Sequence, residues 1–355
     1  MTTNERNYSY DILKAFGIAV IVFAHCYPLP NWLNYLRNFE VILLVLISAI
    51  FQFNKYGSIT HVDRGIIVDI LKRLLRLIVP TWVFLTILFS GLLIVSAILG
   101  TDFPYSLKII IDSYAMINGI GYVWIMLVYC FISVGLPFLF AFFNRFIANN
   151  YLKVLVWLSL LIVYEAFRFL ILKLPDSLFV YYFKNTFLYL IAYNLISLVP
   201  YICKQFKQGF LLLFGLAFLI IHVLYFIVLL VYEQNIVDYI ATTKYPPSLY
   251  YYSYGIGISS VLIYLADRFV IIKNKAFWIV PFVFISKRSL WIYFNHIFMI
   301  YVFNQLSLTD SFVIMYLFVF AGAILITFVI DIVFSLIKKS NAPRFFVSTI
   351  KLIWG

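Results

Sequence analysis

Apolar runs about twenty residues long recur along the whole of this 355-residue chain. A helix rises ~1.5 Å per residue, so each run can reach across a hydrocarbon core roughly 30 Å thick. The runs are continuous and do not alternate apolar with polar, which argues against a transmembrane β-barrel. Hydrophobic residues make up 65% of the sequence and charged residues 11%, where an ordinary soluble domain carries about 25% charge. The expected fold class is all-α: a polytopic integral membrane protein with about ten transmembrane helices in one bundle. The spans are predicted at 12–29, 39–53, 74–99, 122–143, 152–174, 185–203, 209–232, 248–266, 289–306 and 311–337. No loop is long enough for a soluble domain and no repeat is visible, so residues 1–355 read as a single transmembrane domain. The first apolar run lacks a small-residue cleavage site and reads as a retained span, not a signal peptide.

The net charge of +12 does not point to nucleic acid, because the basic residues sit in short segments between spans. With both termini cytoplasmic, the inner segments hold Arg6, Lys55, Arg64, Lys72, Arg73, Arg268, Lys273, Lys275, Lys287, Arg288, Lys338 and Lys339, among others. The outer segments hold only Arg37, Lys108, Lys173, Lys184 and Lys244. That asymmetry is the positive-inside pattern and sets the expected orientation. Cys26, Cys130 and Cys203 are scattered and show neither metal-ligand spacing nor a disulfide framework.

Against this background a few polar residues carry information. His25 follows Asp11 by roughly 21 Å of helix, which places it well past the middle of the core if Asp11 marks one face. An imidazole at that depth faces a polar cavity, and its ordinary pKa near 6.5 suits a general base. The plain alternative is a buried histidine bonded to a neighbouring helix. His296, beside Asn295, is the weaker second candidate, since it could simply satisfy polar groups in the bundle.

Arg73 and Arg76 open the third span at i, i+3 and share one helix face. Two planar guanidinium forks suit a phosphate-bearing ligand, although helix ends at the cytoplasmic face commonly carry arginine. Arg76, deeper in apolar sequence, is the better half of the pair. Asp11 and Lys14 form a local ion pair, or Asp11 neutralises a third-span arginine; either role is structural. Glu165 and Arg168 read as an internal ion pair. Asp331 meets an arginine of another helix or lies in water at the cytoplasmic end. The segment Lys244–Tyr252, with Tyr245, Tyr250, Tyr251 and Tyr252 around two prolines, suits a sugar platform and equally an interfacial aromatic belt.

These pieces, taken in order, resemble the acyltransferase 3 family of membrane acyltransferases, in particular its bacterial surface-polysaccharide O-acetyltransferases. The segment Tyr10–Ala19 running on to His25 is similar to the family's opening Asp…Arg/Lys…Ala…His span. Lys72–Pro80 resembles its Arg-x-x-Arg…Pro span, and Gly121–Trp124 its Leu-Trp-Phe-Leu segment. Lys244–Pro247 resembles a feature of some members, and Ser286–His296 looks like its late Gly-Lys-x-Ser-Leu…His stretch. The likeness runs the length of the chain, and the ten-span count agrees. Departures are Leu46–Ala49 where the family often has Phe-Phe-x-Ser-Gly, Lys14 for a common Arg, and Ser286 for a common Gly.

The resemblance implies transfer of an acetyl group from acetyl-coenzyme A, a substrate and not a bound cofactor, to a hydroxyl of a surface polysaccharide or its lipid-linked precursor. It implies His25 as catalytic base, Arg73 and Arg76 on the donor, and Asp11, Lys14 and His296 in support, with no metal. The expected partners are the lipid bilayer, a glycan acceptor and other glycan-synthesis membrane proteins, in a bacterial cell membrane. The competing readings are an exporter of polysaccharide or lipid-linked sugar without acyl transfer, and a structural partner in a glycan-synthesis complex. Topology is open to direct test: reporters fused to the two ends are expected to respond as cytoplasmic, and ends on opposite sides would overturn the orientation.

Overall fold

The computed structural model describes residues 8–207, 209–232, 243–269, 277–306, 311–339 and 343–354; Arg6, Lys273 and Lys275 of the charge pattern lie outside the described residues. Every secondary-structure element among them is helical, which is what a chain in hydrocarbon must do to satisfy its own backbone N–H and C=O groups. In chain order these are α1 (Tyr8–Ala24), α2 (Asn31–Leu36), α3 (Glu40–Tyr56), α4 (Arg64–Leu99) and α5 (Leu107–Tyr114). Then come α6 (Trp124–Phe146), α7 (Asn150–Leu172), α8 (Leu178–Ser197), α9 (Val199–Cys203) and α10 (Phe210–Tyr232). The last are α11 (Leu249–Phe269), α12 (Val280–Lys287), α13 (Ser289–Leu306), α14 (Phe312–Lys339) and α15 (Arg344–Trp354).

Side-chain caps mark the starts of α7 and α8. Asn149 accepts from the backbone N–H of Tyr151 and Leu152 at 2.8 and 3.2 Å, and Ser177 from Val180 at 3.2 Å. Both satisfy donors that a first turn leaves orphaned.

Seven described helical segments are long and apolar enough to cross a bilayer: Asn31–Tyr56, Arg64–Leu99, Trp124–Phe146, Asn150–Leu172, Leu178–Cys203, Phe210–Tyr232 and Phe312–Lys338. The count is eight if Phe277–Lys287 and Ser289–Leu306 are taken together as one broken span. This is the architecture of a multi-pass helical membrane protein. The first and eighth expected spans are not among the seven, and the ninth enters only through the broken pair. Helix α1 has 17 residues, about 25 Å of rise. It stops at Ala24, short of the predicted 29, because Pro28 and Pro30 disfavour helix in what precedes them. In α11, Tyr250–Tyr254 and Ser259–Ser260 dilute the apolar sequence.

The chain divides into two compact units, one of Met1–Ile21, Pro30–Asp63 and Phe131–Lys287, the other of Val22–Leu29, Arg64–Cys130 and Arg288–Gly355. In the first, α11 packs on α10 and on α3. Its small residues let it: a Cβ on Gly215 would stand 2.9 Å from Cβ of Ser260 and 3.0 Å from the carbonyl oxygen of Gly257. Ser259 and Ser260 are fully buried. Close backbone approach through small residues is the usual way helices associate where lipid removes the hydrophobic drive.

In the second unit α13 pairs with α14, and α15 packs on α4 and α14. Asn295 donates to Thr327 Oγ1 at 2.9 Å across the α13–α14 seam, and the rings of Phe84 on α4 and Phe294 on α13 stack at 4.7 Å. Arg288, immediately before α13, meets Asp331 at 2.5 Å and donates to the carbonyl of Trp354 at 2.7 Å. The Trp354 indole in turn donates to Asp331 at 2.7 Å. Asp331 therefore has the arginine partner that sequence left open. The cysteines Cys26, Cys130 and Cys203 are buried and free.

Gly215→Val should be costly, because the new methyls meet α11 backbone, which cannot step aside. The expected loss is about 1–3 kcal/mol, as for other overpacked sites, read as a lower thermal midpoint in detergent; an unchanged midpoint would mean that α10 and α11 are not in close contact.

Candidate functional site

His25 does not lie on a helix face. It occupies the turn that closes α1, where its N–H donates to the Val22 carbonyl at 3.1 Å and Cys26 N–H to that of Phe23 at 3.2 Å. The turn carries the ring out of register with α1 and against α13. There Nδ1 of His25 lies 2.9 Å from Nε2 of His296. The ring planes are 12° apart and the centroids 5.1 Å apart. His296 is fully buried, and its own Nδ1 contacts the carbonyl oxygen of Tyr293, one turn earlier on α13. The two histidines that sequence ranked first and second are thus partners in one cluster.

Two tyrosines complete it. Tyr122 stands edge-on to His25 with centroids 4.9 Å apart at 82°. Tyr293 packs on His296 at 4.9 Å, and its hydroxyl donates to the Tyr122 carbonyl at 2.6 Å. Tyr122 sits on a loop with an unusual backbone: Met116, Asn118, Gly119 and Gly121 have φ of 59°, 139°, 48° and 80°. For a non-glycine residue that region costs on the order of 1–3 kcal/mol. Gly119 is required on a second ground, since a Cβ there would lie 2.5 Å from backbone atoms of Ser113. The chain holds this loop in a costly shape, and the result is an aromatic wall beside the imidazoles. Beyond the wall the hydroxyls of Tyr105 and Tyr301 touch.

The arginine pair lies in the same unit, on α4. Measured from Phe84, which stacks on Phe294 of the histidine-bearing helix, Arg76 is about 12 Å and Arg73 about 16 Å back along the axis. Arg73 is half-buried and Arg76 exposed, although Arg76 lies deeper in apolar sequence.

The remaining residues fall in the other unit. Asp11 is buried and accepts from the Ser286 hydroxyl at 2.7 Å, joining α1 to α12; Lys14 is half-buried. Glu165 and Arg168 form the expected ion pair at 2.7 Å, and Glu165 also accepts from the backbone N–H of Leu249 at 3.2 Å. Tyr250, Tyr251 and Tyr252 are 7, 3 and 1% exposed and Tyr245 43%, so the tyrosine run is mostly interior packing with Tyr245 at its edge. Lys244 bonds Glu40 at 3.1 Å, and Arg37 bonds the same carboxylate oxygen at 2.9 Å.

A histidine beside a cavity was not singled out from sequence. His222 is in α10, donates from Nδ1 to the Tyr250 carbonyl at 3.1 Å, and lines a cavity of about 550 Å³ with Val223, Phe226, Leu230, Tyr250 and Tyr254. Its signal was available: a histidine within one of the most apolar runs of the chain. Among the described residues no group of three or more His, Cys, Asp or Glu side chains could hold a metal ion.

Comparison of the chain with protein-family models, with curated proteins and with solved structures finds no match in any of the three. What fold and site define is therefore a class: a helical multi-pass membrane protein with a pair of hydrogen-bonded imidazoles, one buried and one partly exposed, walled by tyrosine.

Proposed function

We propose that the protein is a membrane O-acyltransferase of a bacterial cell membrane. It moves an acetyl group from cytoplasmic acetyl-coenzyme A to a hydroxyl of a cell-surface polysaccharide or its lipid-linked precursor. In this reading the chain makes ten passes with both termini cytoplasmic. The enclosed helices α1 and α11 count as spans, because a helix surrounded by protein needs less apolar surface than one facing lipid. The observation that carries the reading is the His25–His296 pair, a partly exposed imidazole backed by a buried one. The likeness of the first-span and late motifs to the acyltransferase 3 family supports it.

In the proposed step Nε2 of His25 takes the proton of the acceptor hydroxyl as that oxygen attacks the thioester carbon. The C–S bond then breaks, the acetyl ester forms, and the proton passes from His25 to the departing thiolate. Acetyl ester and free coenzyme A are the only products. Arg73 and Arg76 would hold donor phosphates, about 12–16 Å along α4 from the level of the imidazoles, a separation that an extended pantetheine arm is suited to bridge. Tyr245, at the exposed edge of the tyrosine run, is the residue of that run left to meet a glycan.

The direct test is purified protein supplied with acetyl-coenzyme A and cell-surface glycan. Transfer of the labelled acetyl group is expected, and none with any such acceptor would refute the proposal. His25→Gln keeps hydrogen bonding but cannot act as base, so it should lower the rate about 10²–10⁴-fold while the protein still inserts and binds donor. A variant near the wild-type rate would move the base elsewhere.

The donor site is tested by equilibrium binding of acetyl-coenzyme A. The Arg73→Ala/Arg76→Ala double variant should bind it at least tenfold more weakly. Arg73→Lys, which keeps charge but loses the fork, should be more harmful than Arg76→Lys, given their burial. Unaltered binding in the double variant would return both residues to a topogenic role.

A further inference from the structure

The hydrogen-bond acceptors around the histidine pair fix which nitrogen carries which proton. A neutral imidazole has one donor and one acceptor nitrogen. The Tyr293 carbonyl oxygen can only accept, so Nδ1 of His296, which it contacts, must be the protonated one. His296 is fully buried, where an imidazolium would be costly, so its ring is neutral at rest. Nε2 of His296 therefore carries a lone pair, and the hydrogen in the 2.9 Å contact belongs to Nδ1 of His25.

Ring geometry agrees. Planes 12° apart with centroids at 5.1 Å are what results when the two facing nitrogens lie on the line joining the ring centres. The bond then runs in the plane of both rings, along the lone pair; a face-to-face stack would bring the centroids closer and the nitrogens out of line. We infer that His296 is the positioning residue of the site, holding His25 as the Nδ1–H tautomer with Nε2 as its basic nitrogen, through a relay from the Tyr293 carbonyl to His296 to His25. The kinetic part rests on the proposed base role of His25; the tautomer assignment does not.

The arrangement does for His25 what a buried carboxylate does in a serine-hydrolase triad, fixing tautomer and ring orientation, but with a neutral orienter. When Nε2 of His25 takes a proton, the hydrogen between the rings can shift toward Nε2 of His296. The positive charge is then spread over two imidazoles with no group newly desolvated.

The chain has four histidines, so ¹⁵N-histidine labelling of the full protein in lipid nanodiscs gives four ring spin systems. Loss of signals in His25→Gln and His296→Gln assigns the pair. The wild type should show His25 protonated at Nδ1 and bare at Nε2, and His296 likewise. His296→Leu should convert His25 to a tautomer mixture and lower acetyl transfer about 10²-fold or more. His296→Gln, whose amide oxygen can still accept, should keep transfer within about tenfold of wild type. Wild-type His25 protonated at Nε2 would overturn the inference without reference to any variant's folding. Full transfer in a well-folded His296→Leu protein would also overturn it. The expected tautomers in a protein that transfers no acetyl group would support the relay and remove the proposed reaction instead.

Discussion

A polar group inside hydrocarbon has no water to fall back on, and every other feature of this molecule answers to that fact. Hiding leucine from lipid gains a helix nothing, so association rests on close packing and on polar contacts made good within the protein. The contacts form distinct clasps. Asp11 takes the Ser286 hydroxyl, Glu165 takes both Arg168 and the Leu249 amide, Glu40 takes Arg37 and Lys244, and Asn295 takes Thr327. Each fastens segments that side-chain packing alone would leave free to slide. The histidine pair belongs to the same series but differs in one respect: His25 is only partly buried, so a group built from the same chemistry as the clasps is left accessible.

Enclosure explains which helices are polar. The helices α7, α10 and α14 are strongly apolar and only 22% of the most apolar stretch of each is buried; their few polar groups, such as Arg168, His222 and Thr327, turn to partners within the protein. By contrast α11 and α13 are mostly buried and carry a higher share of serine, tyrosine, asparagine and histidine. Composition along the chain is thus a record of position. The least hydrophobic helices are those on which a site can be built, and α13, with Tyr293, Asn295 and His296 inside about one turn, bears the buried half of the imidazole pair.

Sequence reached the class of fold and both histidines of the pair, but for reasons of differing strength. Continuous apolar runs dictate helices crossing a membrane, and the i, i+3 spacing of Glu165 and Arg168 dictates their pairing. Both are local signals. The end of α1 was misjudged because Cys26–Leu29 continues the apolar run, and the two prolines outweigh hydrophobicity there. Arg76 was ranked above Arg73 because depth along a helix is readable from sequence while azimuth is not. The tyrosine run suited a sugar platform and an interfacial belt equally, and its burial was not legible because nothing local shows that α11 packs against α3 and α10. The contact between His25 and His296 was the least legible of all. Neither lies near the other in the chain, and their meeting depends on a turn, a kinked loop and a helix pairing that no short window contains.

The clasp of Arg288, Asp331 and Trp354 has a temporal meaning. Chains leave the ribosome from the N-terminus at about 5–20 residues per second, and α15 is made after every other described helix. Arg288 emerges ahead of α13 and meets Asp331 only when α14 has been inserted, while the Trp354 carbonyl and indole arrive later still. Until then α13 can enter the membrane, pair with α14 and bridge Arg288 to Asp331, but the arginine lacks its second acceptor and the aspartate its indole donor. A nascent protein halted before residue 354 would hold the start of the His296 helix by the ion pair alone. Fastening of the frame around the paired imidazoles is in this sense coupled to delivery of α15, made well after both histidines.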